Sequence, residues 1–522
     1  MEISGIYDLS SEKNQFIDCD CFVLEDTTCS ARILCNTEYT KPQKIIKYIT
    51  EKSEIDEDGL FLAVILYKGA LYIFSDSSTS QWVLYYTLTD NKFFYSTSLK
   101  KLLILSGIKR EFDITAAKGF LKNGIVLGNH TLINNVYKLD VCETIYCGKG
   151  KIRSKHTKYA KPMKHSEQEL ISTIKDSILK FAKGKQKISM PLSGGFDSNL
   201  VLNSLKDLYR IDAFTVGGKV GKNEIPLVER NIKPYKNVVH HTHLADTSLF
   251  SKLPEIIWRL DGYVYERGIF LQYLLANMVS KSGIKSLICG ECSDEHQCLL
   301  YQKEYKHYLH NKVSPLQTLD WMLQPYSWGN LIVLKKSALM LNSFGILGCY
   351  PFATKRFTDV AASVGKKNLD KKQLYISLLK SELPKELYDG LFHAGGSTSI
   401  ESIVSESDKV NIAQAIANSK LIKRITATQD CYKSFWNDFA ELYLAEKGGD
   451  TLRVFKGYLK YVTKKILSLL NLYNNKSEPY DDSLENNIKA YYLLLFGELF
   501  LSGNYDTYFT KEKSDFEISI FK

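Results

Sequence analysis

Long apolar runs are missing from this chain. The longest in its 522 residues, Leu60–Tyr67 and Tyr491–Phe496, fall well short of the roughly 20 residues a helix needs to cross a bilayer. No transmembrane segment is expected. Cysteine is sparse too: eleven in a chain this long make no disulfide framework, and no secretory leader is expected. The expectation is a cytoplasmic protein with reduced thiols. Charge of one sign is not concentrated. The net +10 is spread out, and clusters such as Lys460, Lys464 and Lys465 read as solvated helix faces. No nucleic-acid reader motif is present, so no nucleic-acid partner is expected. Internal repeats are also absent. What remains is an ordinary globular composition, 44% apolar and 24% charged, with length for two or three domains.

The most informative stretch is Pro191-Leu192-Ser193-Gly194-Gly195-Phe196-Asp197-Ser198. Lys187–Met190 reads as a buried strand ahead of it. Asp197–Leu208 carries Leu200, Val201 and Leu205 at helical spacing behind it. A strand, a small-residue turn and a helix start together offer backbone N–H groups to phosphate oxygens. The glycines allow close approach, and the Ser193 and Ser198 hydroxyls add donors. No Gly-Lys-Ser/Thr follows, which excludes the ordinary phosphate-transfer loop. The stretch resembles the pyrophosphate loop, Ser-Gly-Gly-x-Asp-Ser, of enzymes that cleave ATP to AMP and pyrophosphate.

Residues 1–150 are rich in short strand-like segments: Phe22–Glu25, Ala31–Cys35, Gly59–Leu66, Ala70–Ser75, Trp82–Leu88 and Phe93–Ser96, with a helix over Lys41–Lys52. Leu71–Asp76, Leu84–Tyr86, Tyr95–Lys100, Phe120–Gly124 and Tyr137–Leu139 follow one another in an order that resembles class B asparagine synthetases and their relatives. The resemblance implies an α/β protein. A degenerate N-terminal-nucleophile-like (glutaminase-type) β-rich sandwich over residues 1–160 would come first. A parallel α/β ATP-pyrophosphatase synthetase domain with a helical C-terminal part over 161–470 would follow, and then a polar segment and C-terminal helix packing on it over 471–522. Members that hydrolyse glutamine begin Met-Cys-Gly-Ile, whose cysteine is the nucleophile. This chain begins Met1-Glu2-Ile3-Ser4-Gly5-Ile6. Ser75 stands for the family's arginine beside Asp76, and the stretch from Cys21 to Gly59 is short for glutamine-clamping loops. The expectation is a glutaminase fold without glutaminase activity.

Further on, Val216-Gly217 ends a second strand, where the family has an adenine-contacting Val-Gly. The strand Val238–His243 places His241 and His243 on one face and His240 on the other, a structural reading rather than a metal site. After the strand Ile284–Ile288 comes Cys289-Gly290-Glu291-Cys292-Ser293-Asp294-Glu295. It resembles the family's Ser-Gly-Glu-Gly-Ser-Asp-Glu, with cysteine at the first serine and second glycine. The cysteines, with Cys298 and His296 nearby, are therefore read as substitutions and not as zinc ligands. The resemblance implies that Leu192, Ser193, Gly194, Gly195, Asp197, Ser198, Val216, Cys289 and Gly290 bind ATP and its pyrophosphate. It also implies that Asp197 and Asp294 hold Mg²⁺, and that Glu291 orients or deprotonates an attacking amine. Asp261 and Glu266-Arg267 fall where the family lines its nucleotide and acyl pocket.

Two departures stand out. Tyr350-Pro351-Phe352-Ala353-Thr354 resembles the family's Val-Pro-Phe-Leu-Asp, with Thr354 replacing the aspartate. Past Leu383-Pro384 the family's charge-stabilising lysine is absent, and His393 or Lys385 is left to substitute. The implied activity is an ATP-dependent ligase that adenylates a carboxylate and captures it with an amine, using ATP and Mg²⁺. Without glutaminase equipment, the resemblance is strongest to lasso peptide macrolactam cyclases. Their carboxylate substrate is a peptide, and their partners are a precursor peptide and a leader-removing protease. An ammonia-dependent asparagine synthetase, a small-metabolite amide synthetase and an inactive nucleotide- or peptide-binding scaffold stand as alternatives.

Overall fold

The computed structural model describes residues 2–19, 21–36, 40–52, 57–76, 81–126, 128–140, 143–156, 165–218, 223–293, 329–363, 376–377, 380–381, 385, 400, 403–426 and 482–502. Its N-terminal part stacks two antiparallel sheets. One has the order β2-β1-β8-β7-β9, built from β1 (Ile3–Asp8), β2 (Lys13–Cys19), β7 (Tyr85–Thr89), β8 (Lys92–Ser96) and β9 (Tyr137–Lys138). The other has the order β11-β10-β6-β5-β4-β3, from β3 (Phe22–Glu25), β4 (Cys29–Cys35), β5 (Phe61–Tyr67), β6 (Ala70–Ser75), β10 (Glu143–Gly148) and β11 (Lys151–His156).

Alternation along β5 shows how the layers are held. Leu62 and Val64 point into the core between the sheets, with Ile3, Tyr7, Phe93 and Tyr95. Phe61, Ala63 and Ile65 point the other way, onto helix α1 (Pro42–Thr50) through Ile45 and Ile46. A strand buried on both faces reads as a continuous apolar run. The far face of the other sheet, through Tyr85 and Phe94, packs on α2 (Leu99–Ser106) and α3 (Ile114–Asn123). The result is four layers: helix, sheet, sheet, helix.

The second part begins with α4 (Glu167–Ala182), closed at its start by a Ser166–Glu169 capping box. A parallel sheet follows, β12 (Lys187–Pro191), β13 (Arg210–Gly218) and β14 (Val238–Ala245), with α5 (Phe196–Leu205) and α6 (Ile225–Ile232) as crossovers. After α7 (Leu253–Arg259) and α8 (Ile269–Lys281), β15 (Ser286–Ile288) lies beside β12 and pairs in parallel with β16 (Leu347–Cys349). The C-terminal helix Asp482–Phe496 sets Tyr492 against Phe120 of α3 (5.0 Å between ring centres), and its hydroxyl donates to the Val264 carbonyl at 3.2 Å. It therefore spans the junction of the two parts.

Where the described residues cover them, the elements read from the sequence are present, most with shifted ends; residues 427–470 of the expected helical part lie outside the described residues. The strand expected over Trp82–Leu88 begins at Tyr85, because the Trp82 carbonyl is taken by Lys335 Nζ instead of a neighbouring strand. Strands β1, β2, β9, β10 and β11 were missed. β2 is a polar edge strand with no apolar alternation to betray it. Of the polar segment expected within 471–522, Asp482–Glu485 already belongs to the helix.

The junction is polar and buried. Lys100 Nζ pairs with Asp261 Oδ1 at 3.0 Å and donates to the Trp258 carbonyl at 2.8 Å, while Asp261 Oδ2 accepts the Leu99 amide at 2.9 Å. Asp261 thus ties α2 to the second part and does not face the pocket where the resemblance put it. Lys335 is buried beside Trp82, and burial, opposed by the Asp76 carboxylate, pushes its ammonium down to about 7. An unfolded lysine titrates near ~10.4, so between roughly pH 7 and 10 the unfolded chain holds the extra proton. This residue's cost to stability therefore grows as pH falls through that window and is complete below it. Lys335→Met is expected to raise the urea midpoint relative to wild type at pH 7 and to lose that advantage by pH 10.

Candidate active site

Leu192 leaves β12 still paired, its amide donating to the Phe214 carbonyl at 2.8 Å and its carbonyl accepting Thr215 Oγ1 at 2.7 Å. The chain then turns through Ser193, Gly194 and Gly195 into α5. The turn is held by hydroxyls. Ser198 Oγ accepts the Ser193 amide at 3.0 Å and lies 3.0 Å from Ser193 Oγ. Asn199 Nδ2 donates to the carbonyls of Ser193 (2.9 Å) and Gly195 (2.8 Å). The Gly194 amide donates to the Glu224 carboxylate at 2.9 Å. An acidic oxygen therefore occupies one backbone donor of the loop.

The second turn follows β15 and rests directly on the first. A Cβ on Gly290 would lie 3.4 Å from both the Asp197 carbonyl carbon and the Ser198 amide nitrogen. Ser293 Oγ donates to Asp197 Oδ1 at 2.7 Å. Between the turns and α8 lies a cavity of about 380 Å³, lined by Leu192, Ser193, Asp197, Ser198, Val216, Gly290, Glu291, Cys292 and Ser293, and also by Gln272, Val333 and Lys336. It opens at the carboxyl ends of β12, β13 and β15, where open α/β sheets receive ligands.

Most of the expected residues therefore meet. Gly194 and Gly195 shape the turn behind the cavity wall. Cys289 is buried behind that wall, and burial, then the Glu291 charge, push its thiol well up. Asp294, Glu295, His296, Cys298 and His393 lie outside the described residues, so nothing is assigned to them here. Lys385 is exposed. Among the described residues no group of three His, Cys, Asp or Glu side chains is placed to hold a metal ion. His240 bonds Thr215 Oγ1 at 2.7 Å, and His241 stacks on Phe214 at 4.6 Å, both within the sheet.

Sequence reasoning missed Lys336, Gln272 and Ser337. Glu291 Oε1 accepts from Gln272 Nε2 (3.2 Å) and Ser337 Oγ (3.1 Å). Lys336 Nζ pairs with Glu266 Oε2 at 2.6 Å, and among the described residues lining the cavity it is the one lysine or arginine. None of the three lies in a motif; tertiary folding alone brings them in. Glu266, singled out from the sequence, acts here by holding Lys336.

Cys292 has φ of +71° and is fully buried. The left-handed region costs a non-glycine residue about 1–3 kcal/mol, which explains why a glycine would suit this position. Cys292→Gly is expected to keep stability within about 1 kcal/mol of wild type, strain relief offsetting lost burial. Cys292→Val, with a branched Cβ, should lower it by about 2 kcal/mol or more. Chemical denaturation of both variants checks the order.

Comparison with known proteins bears on the same region. Residues 169–319 match the family model described as asparagine synthase, a span that includes both turns. The chain is 24% identical over 248 residues to Amidase chry2 of Gibberella zeae, covering 41% of this chain and 35% of that protein. It is 22% identical over 225 residues to a Methanocaldococcus jannaschii protein named "Putative asparagine synthetase 2 (glutamine-hydrolyzing)", covering 40% and 43%. The chain thus spans less than half the length of these curated relatives. Among solved structures, the U34-tRNA thiolase NcsA of Methanococcus maripaludis with its iron–sulfur cluster is similar at 12% identity and a TM-score of 0.24, covering 55% of this chain and 82% of that one. The family match and the synthetase relative support the asparagine synthetase superfamily for the segment they cover.

Proposed function

We propose that this protein is an ATP-dependent amide-forming ligase, and that it closes the macrolactam ring of a lasso peptide. The observation that carries the ligase reading is the convergence of the Ser193–Ser198 turn and the Gly290–Ser293 turn on one cavity, joined by the Ser293–Asp197 hydrogen bond. A substrate carboxylate oxygen attacks the α-phosphorus of ATP, and pyrophosphate leaves toward Ser193, Gly194, Gly195 and Ser198. An amine nitrogen then attacks the acyl carbon, AMP leaves, and the nitrogen's proton passes to Glu291.

Asp197 suits Mg²⁺ in the mode that ion favours, with one or two carboxylates and the rest of the shell from phosphates and water. It lies in the cavity wall beside the phosphate turn, one of its oxygens steadied by Ser293. The bound ion would neutralise triphosphate charge, and Asp294 is proposed as its second carboxylate. Val216 and Leu192, which line the cavity, are proposed to receive the base. Lys336, held by Glu266, supplies a cation in the cavity for a chain whose sequence lacks the family's lysine. His393 remains a proposed alternative.

The sandwich of residues 1–160 is proposed as a glutaminase-type fold without a nucleophile, so that the amine arrives directly. Glu2, in the position of the thiol, pairs with Lys101 at 2.9 Å. The proposed partners are a precursor peptide and a leader-removing protease, and the proposed setting is the cytoplasm. Among the described residues no helix is long and apolar enough to cross a membrane.

Pyrophosphate release from ATP tests the reading. It is expected with a leaderless peptide carrying an internal Asp or Glu and a free N-terminal amine, with loss of one water from the peptide by mass spectrometry. Release with L-aspartate and ammonium, giving asparagine, would keep the ligase and remove the cyclase. Absence of release with every carboxylate would leave only a binding scaffold. Asp197→Ala should lower release about 100-fold or more.

A further inference from the structure

Glu291 is clamped by one oxygen only. Both of its side-chain donors, Gln272 and Ser337, converge on Oε1, and among the described residues no side chain donates to Oε2. Since Glu291 lines the cavity, its second oxygen is the one left for a ligand.

Behind Ser337 stands Tyr350, whose hydroxyl donates to Ser337 Oγ at 3.1 Å. Both residues are fully buried. The bonds run in one direction: the Tyr350 O–H points to Ser337, and the Ser337 O–H points to the carboxylate. Hydroxyls aligned head to tail polarise one another, which strengthens the last bond in the row. Burial, with the charge of Glu291 adding to it, pushes the tyrosine well above its usual range, so it stays a donor.

The fold makes room for this row. A Cβ on Gly348 would lie 2.3 Å from the Tyr350 hydroxyl and 2.4 Å from its ring, so β16 carries a glycine where the ring crosses it. Ser337 comes from the helix Lys335–Ser343 and Tyr350 from the end of β16. Two separate elements are thus brought to one carboxylate.

We infer that Tyr350 and Ser337 are positioning residues that fix the rotamer of Glu291 and turn Oε2 toward the attacking amine. This rests on the ligase reading for its chemistry, while the relay itself is a property of the resting protein. Without Ser337, Oε1 keeps one donor and the side chain can rotate away. A displaced base slows amide formation more than it weakens ATP binding.

Two arms separate the relay from the reaction. In the first, ligand-free protein carries ¹³C-carboxyl glutamate, and subtracting the infrared spectrum of Glu291→Gln isolates the Glu291 band. Ser337→Ala should shift that band, and Tyr350→Phe should shift it in the same direction by less. An unmoved band in Ser337→Ala overturns the relay, whatever the protein catalyses. The second arm uses ATP with the leaderless peptide proposed above as substrate, and reads cyclised peptide and pyrophosphate. Ser337→Ala should lower kcat about tenfold with the KM for ATP unchanged, and an unchanged kcat overturns the positioning role. If wild type releases no pyrophosphate here or with the carboxylates above, the ligase reading falls and takes the amine's role with it. The infrared arm still decides the relay.

Discussion

The architecture depends on one backbone contact: the turn after β15 lying against the turn after β12. Gly290 makes it possible by bringing no Cβ to the peptide between Asp197 and Ser198, and Ser293 then bonds the Asp197 carboxylate. Two strands that end side by side would otherwise present separate loops. Joined in this way, they place a hydroxyl-rich turn and a carboxylate with one open oxygen in the same cavity. Everything proposed about ATP and amine follows from that proximity.

Local physics explains which parts were legible in the sequence. The Ser193–Ser198 turn could be read because strand, glycines and helix start are contiguous, and the structure reproduces each. The Cys289–Ser293 turn could be read only by resemblance, since nothing local says that it meets the first turn. The Glu291 partners were invisible. Gln272 sits on α8, Ser337 on a helix across an undescribed stretch of sequence, and Tyr350 past a short strand. Their pairing depends on tertiary packing, which no periodicity encodes. Likewise β5 was legible because both of its faces are buried, whereas polar β2 at a sheet edge was not.

Three departures from the pattern that the sequence resembles have separate physical explanations. Thr354 replaces an aspartate but still starts the helix Lys355–Ser363, its hydroxyl accepting the Phe357 amide at 3.4 Å, a role either side chain can fill. Cys292 keeps a left-handed backbone that glycine would adopt without strain. Tyr350 replaces a valine with a ring that carries a donor to Ser337. The first change is a substitution of equals, the second keeps a shape at a cost, and the third adds an interaction.

Lys335 and Lys336 are consecutive residues with opposite addresses. One buries its ammonium against the carbonyl of Trp82 in the β sandwich, and the next reaches the cavity beside Glu266. Excising the sandwich would strip the cover from the first ammonium and unmoor the helix that carries the second, so the two halves cannot be divided without disturbing the chemistry. The front of the molecule serves as a keel for the half that holds the cavity, whether or not it catalyses anything.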